Sequence, residues 1–82
     1  MDKKISNATM SRYPIYLKAL RKMQHEGKEN CLSSELSTLT GIQDTTIRRD
    51  FTYLSKTDNF GQRGKGYDVK HLIDGLSEVL GL

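Results

Sequence analysis

The sequence predicts a mainly α-helical fold with a small β-hairpin, and three observations support this prediction. Apolar residues spaced three and four apart, from Met10 to Met23, mark a first helix. A tight turn at Gly41 separates two further helical segments. Glycines then punctuate a short basic stretch from 60 to 67, which suits a hairpin. This order is typical of a winged helix-turn-helix with a three-helix core, a wing and an additional C-terminal helix.

Length and composition predict one small domain over residues 1–82. The chain has 82 residues, of which 35% are hydrophobic and 28% are charged, so it is polar but able to form a small core. The formal net charge of +3 is compatible with nucleic acid as a partner without requiring one.

Several classes of protein are disfavoured by the residues present. Cys31 is the single cysteine, which excludes an internal disulfide, and with His25 and His71 it makes no zinc pattern. We expect Cys31 to be a small, partly buried side chain, with a redox-sensing thiol as the alternative. No nucleophile–base grouping, nucleotide-binding fingerprint or membrane-length apolar run is evident. We therefore expect a cytoplasmic protein without catalysis, metal or cofactor in this chain.

The helix boundaries follow from capping residues. Ser6 is the expected cap of a first helix that begins near Asn7 and bends at Pro14, although a start at Pro14 itself is the alternative. Gly27 is expected to end that helix. A short extended piece at Cys31 and Leu32 then precedes a second helix.

Ser33 or Ser34 is expected to cap the second helix, which would run from about Glu35 to Thr40 and close at Gly41. A third helix would begin at Gln43 or Asp44, with Ile42 anchoring the turn. Its buried stripe is Ile47, Phe51 and Leu54. Asp68 should cap a last helix whose apolar face is Leu72, Ile73, Leu76, Val79 and Leu80.

The third helix is predicted to be a DNA recognition helix. Arg48 and Arg49 follow the buried Ile47, and an arginine there can bond guanine or grip a phosphate. Thr45 and Thr46 lie at the helix start, within reach of thymine methyl groups. The alternative is a solvated helix face on which the two arginines pair with neighbouring aspartates. The candidate residues of this helix are Thr45, Thr46, Arg48, Arg49 and Tyr53.

The wing and the backbone contacts complete the predicted interface. Arg63 and Lys65 alternate with glycines at a tip that suits a minor groove, although a charged, merely soluble hairpin is the alternative. The amides at the start of the second helix suit a phosphate. The wing candidates are Arg63, Gly64, Lys65 and Tyr67, and the phosphate candidates are Arg12, Ser33 and Ser34.

Three motifs resemble the N-terminal domain of the Rex family of bacterial redox-sensing repressors. They are Ile5-Ser6-x-Ala8-Thr9 with Arg12-x-Pro14-x-Tyr16-Leu17, then Ser33-Ser34-x-Leu36 leading to Thr46-Ile47-Arg48-Arg49-Asp50-Phe51-x-Tyr53, and Phe60-Gly61-x-Arg63-Gly64-x-Gly66-Tyr67. The final Leu80-Gly81-Leu82 is similar to the family's junction between its two domains. Residues 55–59 depart from the pattern, being longer and more polar than the family's usual link.

The resemblance implies a DNA partner, an oligomeric state and a second domain. It implies a homodimer that binds a palindromic A·T-rich operator in double-stranded DNA, with the third helix in the major groove and the wing in the minor groove. It also implies a Rossmann-type domain that reads the NADH/NAD⁺ ratio and binds NAD(H). We expect that domain to lie outside these 82 residues. Two alternatives are a winged-helix protein-interaction module and a DeoR-like regulator with another effector.

Overall fold

The computed structural model describes residues 5–54, 61–62 and 66–82, with the last two strands meeting in an antiparallel hairpin. The elements are α1 (Asn7–His25), β1 (Asn30–Cys31), α2 (Ser33–Thr40), α3 (Asp44–Thr52), β2 (Gly61–Gln62), β3 (Gly66–Asp68) and α4 (Val69–Leu80). Strand β3 lies between its partners in a three-stranded antiparallel sheet, which has the order β1-β3-β2. The predicted mainly helical winged fold is confirmed, and the extended piece at Cys31 proves to be a strand paired with β3.

Helix α1 begins at Asn7 and continues through Pro14, so the earlier of the two predicted starts is correct. The Ser6 hydroxyl caps it by accepting the Thr9 amide at 3.1 Å. The helix ends before Gly27, whose φ of 86° permits the reversal of the chain. Its buried face is Thr9, Tyr13, Tyr16, Leu17, Leu20 and Met23.

Helix α2 starts at Ser33, so the predicted start at about Glu35 is wrong by two residues. No serine side chain caps it. The Glu35 carboxylate instead accepts a hydrogen bond from the Leu32 amide at 2.8 Å. A residue of the first turn thus supplies the hydrogen-bond partner of the amide that precedes the helix. The helix closes at Gly41 (φ 76°), whose amide donates to the Ser37 carbonyl at 2.9 Å.

The core lies where α1 packs against α4 and α2, with α2 packed against α3. The predicted stripe of Ile47, Phe51 and Leu54 is buried, and Ile42 packs against it from the turn. In α4 the predicted face is buried at Leu72, Ile73 and Leu76, while Val79 and Leu80 are partly buried against the core. Val69 is an additional buried residue of that helix.

Gly66 is required at the start of β3. Its φ is 76°, and a Cβ there would lie 2.4 Å from the Cys31 carbonyl oxygen. Only glycine permits both this conformation and this approach of β3 to β1. The close approach of β3 to β1 therefore depends on glycine at this position.

Within the described residues, no helix is long and apolar enough to cross a membrane, and no cluster of three potential metal ligands occurs.

Cys31 is fully buried rather than partly buried. Burial raises the pKa of its thiol to about 11, which keeps the side chain in its unreactive neutral form.

Candidate nucleic-acid interface

Helix α3 has two opposite faces. Ile47, Asp50 and Phe51 are buried, and the residues that alternate with them around the helix face solvent. Because an α-helix repeats every 3.6 residues, positions spaced by three and four share a face. The exposed residues of that face are Thr45, Arg48, Arg49 and Thr52. Nine helical residues span about 13 Å, which is similar to the width of a major groove.

The two arginines of this face are not paired with the aspartates of the same helix, all of whose residues the structure describes. In the part of the chain that the structure describes, no ion pair joins Arg48 or Arg49 to Asp44 or Asp50. Asp44 instead accepts the Ser33 hydroxyl at 2.5 Å. The pairing of these two arginines with their neighbouring aspartates, which the alternative includes, is therefore not observed among these described residues.

The remaining predicted residues of the helix lie at its flanks. Thr46 and Tyr53 are half-buried, so they border the exposed face rather than form its centre. Thr52 was not among the predicted residues, although it is exposed on the same face. Its hydroxyl donates to the Arg49 carbonyl at 2.6 Å, which leaves its methyl group as the apolar contact it offers.

Asp50 is the polar residue of the buried face of α3. It is 0% exposed, and its carboxylate accepts hydrogen bonds from three side chains of α1. Arg12 donates from Nε at 2.6 Å and from Nη2 at 2.8 Å, and Thr9 donates at 3.3 Å. The Tyr16 hydroxyl also donates to it, while the Tyr13 hydroxyl donates to the Asp50 main-chain carbonyl at 2.9 Å.

The electrostatics of this cluster favour an ionised Asp50. Burial opposes its charged form, but the hydrogen bonds from Arg12, Tyr16 and Thr9 outweigh burial and hold the pKa of Asp50 below its ordinary value. The hydrogen bond with Asp50 raises the pKa of Arg12. Burial raises the pKa of Tyr13 to about 12, so its hydroxyl stays a donor at neutral pH.

Arg12 uses one edge of its guanidinium for Asp50. Its side chain is 27% exposed, and no hydrogen bond within the described residues uses Nη1. A planar guanidinium has a second edge that can bind another anion. The structure thus places the predicted phosphate residue in an internal ion pair and leaves part of it facing solvent.

Ser33 and Ser34 are the first two residues of α2, as a phosphate site at a helix start requires. Their amides lack intrahelical partners because the first N–H groups of any helix do. The Ser33 hydroxyl is bound to Asp44, so the exposed hydroxyl at this end of the helix is that of Ser34.

The tip of the wing, with Arg63, Gly64 and Lys65, lies outside the described residues. Its base is defined by Tyr67 of β3, which is half-buried and meets the Phe51 ring edge to face with centroids 5.2 Å apart. Burial raises the pKa of Tyr67, and the charge of Arg48 opposes this shift. The base of the wing therefore lies beside α3.

Comparison with known proteins agrees with this geometry. Residues 4–52, which include α1, α2 and α3, match a family model described as the N-terminus of putative DNA-binding proteins. The chain belongs to this family. The match covers the whole helix-turn-helix, the element that carries the exposed arginines.

The most similar relatives include redox-sensing transcriptional repressors named Rex. That of Streptomyces griseus is 40% identical over 78 residues, covering 95% of this chain and 30% of the relative. That of Lysinibacillus sphaericus is 42% identical over 77 residues, covering 94% and 35%. The chain therefore spans about a third of the length of the curated relatives it matches. The predicted resemblance to Rex is confirmed, and these relatives are repressors rather than enzymes.

Two solved structures extend the comparison to the fold. A structure of RSP in complex with beta-NAD+ and operator DNA matches with a TM-score of 0.86 and 32% identity, over 99% of this chain and 36% of that one. A structure of RSP described as a Rex-family repressor matches with a TM-score of 0.76 and 31% identity, over 98% and 34%. The winged-helix prediction is confirmed by this likeness.

The role of Asp50 as a shared acceptor was only partly predictable from sequence. A structural role that holds an arginine is a natural expectation for an acidic residue after Arg48 and Arg49, but the partner is Arg12, 38 positions away. The available signal is a polar residue at each turn of an otherwise apolar face of α1. Those residues are Thr9, Arg12 and Tyr16.

Proposed function

We propose that this chain is the operator-binding domain of a bacterial redox-responsive transcriptional repressor and binds double-stranded DNA in a sequence-specific way. The observation that carries the proposal is the face of α3 with Arg48 and Arg49, which are exposed and without an ion pair to the adjacent aspartates. Membership of a DNA-binding family supports it. A cationic face on a helix of this length, backed by a fully buried face, suits a major groove.

In this proposal the recognition helix reads base edges. Arg48 and Arg49 donate to guanine O6 and N7, and the methyl groups of Thr45 and Thr46 contact thymine. Tyr53, half-buried at the end of the helix, borders the backbone of the same groove. The buried half of α3 keeps these side chains on one side of the domain.

The wing and the first two helices contact the adjacent backbone and minor groove. Arg63 and Lys65 enter a narrow A·T-rich minor groove, with Gly64 allowing a close approach. Tyr67 anchors the base of this wing on Phe51. The phosphate ligands are the amides of Ser33 and Ser34 and the outer edge of Arg12.

The proposed partner is a palindromic A·T-rich operator bound by a homodimer in the cytoplasm. One copy of this domain would contact one half-site, so two copies match the two-fold symmetry of the palindrome. Residues 1–82 would form a single winged-helix domain, and the NAD(H)-sensing domain would lie outside them. The similarity to Rex repressors supports this arrangement.

A protein-interaction module is the second candidate function, and one surface favours it. Ile15 is 46% exposed and Leu39 is 50% exposed, and both line a groove beside Lys18 and Lys22. An apolar interface there would be insensitive to salt, whereas phosphate binding weakens steeply as salt rises. Salt dependence therefore separates the two candidates.

The proposal is tested by fluorescence anisotropy with a labelled A·T-rich palindromic duplex and a scrambled duplex of the same composition, each at two salt concentrations. We expect tighter binding to the palindrome and a loss of affinity for both at the higher salt. Equal affinity for the two duplexes would contradict sequence reading. Absence of binding to either would favour the protein-interaction candidate.

A further inference from the structure

Five hydrogen bonds from one stripe of α1 end on a single residue of the recognition helix. Arg12 and Tyr13 each lie three or four residues from both Thr9 and Tyr16, so the four residues lie on one side of α1. Three of them bind the Asp50 carboxylate, and Tyr13 binds its main-chain carbonyl at 2.9 Å. Both the side chain and the backbone of Asp50 are thus held by α1.

This arrangement is not the simplest way to stabilise two packed helices. A buried carboxylate loses its hydration, and a well-packed apolar pair of similar volume is often as stable. What directed hydrogen bonds add is geometry, because their strength depends on both distance and angle. The forked contact from Arg12, with donors at 2.6 and 2.8 Å, is especially restrictive.

The apolar contacts of α3 do not supply the same restriction. Ile47 packs through dispersion and burial, which are not directional. The edge-to-face contacts of the Phe51 ring are oriented, but they are weaker than charge-assisted hydrogen bonds. A helix held only by such a stripe can rotate or slide slightly at small cost. Asp50 is adjacent in sequence to Arg49, so any rotation that it prevents would also move the exposed arginines.

We propose that Asp50 is a positioning residue for sequence reading, which fixes the rotation of α3 about its axis so that Arg48 and Arg49 meet base edges. The inference rests on the proposed function. Recognition side chains must be held within about 0.5 Å of their productive position to be effective. Contacts with phosphates by flexible cationic side chains tolerate a larger displacement, so the effect of Asp50 falls on discrimination between sequences.

The deciding experiment uses the 82-residue chain with Asp50→Asn. Affinities for the palindromic and the scrambled duplex are measured in parallel, at a temperature where circular dichroism shows the variant to be folded. We expect palindrome affinity to fall about tenfold, equivalent to one lost base contact, while scrambled-duplex affinity changes much less. The ratio of the two affinities is the readout, because a merely structural role would not change it in the folded protein.

Two milder variants keep the test valid if Asp50→Asn does not fold. Tyr13→Phe and Tyr16→Phe each remove one hydroxyl donor to Asp50 without changing the ring. We expect each to lower the affinity ratio by a smaller factor. Ile73→Val is the matched control, since it removes a methyl group from the buried core of α4 and leaves the hydrogen bonds to Asp50 intact.

The outcomes separate this inference from the proposed function. An unchanged affinity ratio in the folded Asp50 variant and in both tyrosine variants would overturn the positioning role. The same loss of ratio in Ile73→Val would also overturn it, because destabilisation alone would then be the cause. Failure of the wild-type chain to prefer the palindrome would instead overturn the proposed function.

Discussion

The rings of Phe51 and Tyr67 meet edge to face with their centroids 5.2 Å apart, joining α3 to the base of the wing. Phe51 also meets Tyr16 of α1 in the same geometry and at the same distance. A single aromatic cluster therefore connects α1, α3 and β3. The two parts that the proposal assigns to DNA are in contact through this cluster.

Removal of the arginine side chains should weaken reading of the palindrome. We expect Arg48→Ala and Arg49→Ala each to cost about 1–3 kcal/mol of palindrome binding and to relax specificity at one base pair. Anisotropy with duplexes substituted at single positions measures both effects. Arg21→Ala is the charge-matched control. Arg21 is exposed, and because it lies nine residues from Arg12, about two and a half helical turns, it is on the opposite side of α1. An equal loss in the control would show that only net charge matters.

Gly66→Ala should destabilise the sheet strongly. The added methyl group would lie 2.4 Å from the Cys31 carbonyl oxygen, in addition to the strain of a φ of 76°. We expect a loss of about 3 kcal/mol or more in the free energy of unfolding, measured by urea denaturation. Gly81→Ala has the same φ but nothing within 4 Å, so it isolates the conformational cost at about 1 kcal/mol. Equal costs at the two positions would contradict the close approach of β3 to β1.

The native thiol of Cys31 should react slowly with alkylating reagents. Its pKa of about 11 results first from burial, and thiolate is the reactive form. At pH 8 we expect labelling about two orders of magnitude slower than in the urea-unfolded chain, measured by mass spectrometry. Rapid labelling of the folded protein would revive the redox-sensing alternative for this residue.

Stability should decline in acid through Asp50. Its pKa is lowered in the folded state, so the stabilisation is present above the unfolded-state pKa of about 4 and is lost as pH falls through the lower folded value. Asp50→Asn should cost about 3 kcal/mol at neutral pH, and the difference from wild type should shrink from about pH 4 downward. Urea denaturation between about pH 6 and about pH 2 measures this.

Glu35 contributes to the same pH range and must be separated from Asp50. Hydrogen bonds from Lys28 and then from the Leu32 amide lower the pKa of Glu35. Comparison of the stability of Glu35→Gln with that of Asp50→Asn separates the two contributions to acid sensitivity. We expect the contribution of Glu35 to be the smaller, because this side chain is half-exposed. A difference between wild type and Asp50→Asn that is constant with pH would contradict an ionised Asp50.

Local features of the fold were predictable from sequence because their causes lie within a few residues. Ser6, Gly41 and Asp68 act at helix ends as predicted, the last by accepting the His71 amide at 2.9 Å. The start of α2 was misplaced because a glutamate inside the first turn, Glu35, performs the capping expected of a serine. Either residue type satisfies an unpaired amide, so sequence alone did not choose between them.

The site was predictable on its exposed side and less so on its buried side. The position of Arg48 and Arg49 directly after Ile47 predicts that at least one of them points outward in a helix that buries its apolar stripe, and both are exposed. The partner of Asp50 could not be read in the same way, since the Arg12 bond joins residues 38 apart and depends on how two helices cross. The wing tip at 63–65 remains a prediction.

The most direct test of the account is a two-dimensional ¹H–¹⁵N NMR titration of the labelled chain with the palindromic duplex. We expect the largest shift changes at the amides of residues 44–49 and at the Nε groups of Arg48 and Arg49, with the scrambled duplex giving smaller changes there. Changes centred on Ile15 and Leu39, with α3 unaffected, would contradict the recognition face and place the binding surface on the groove between α1 and α2.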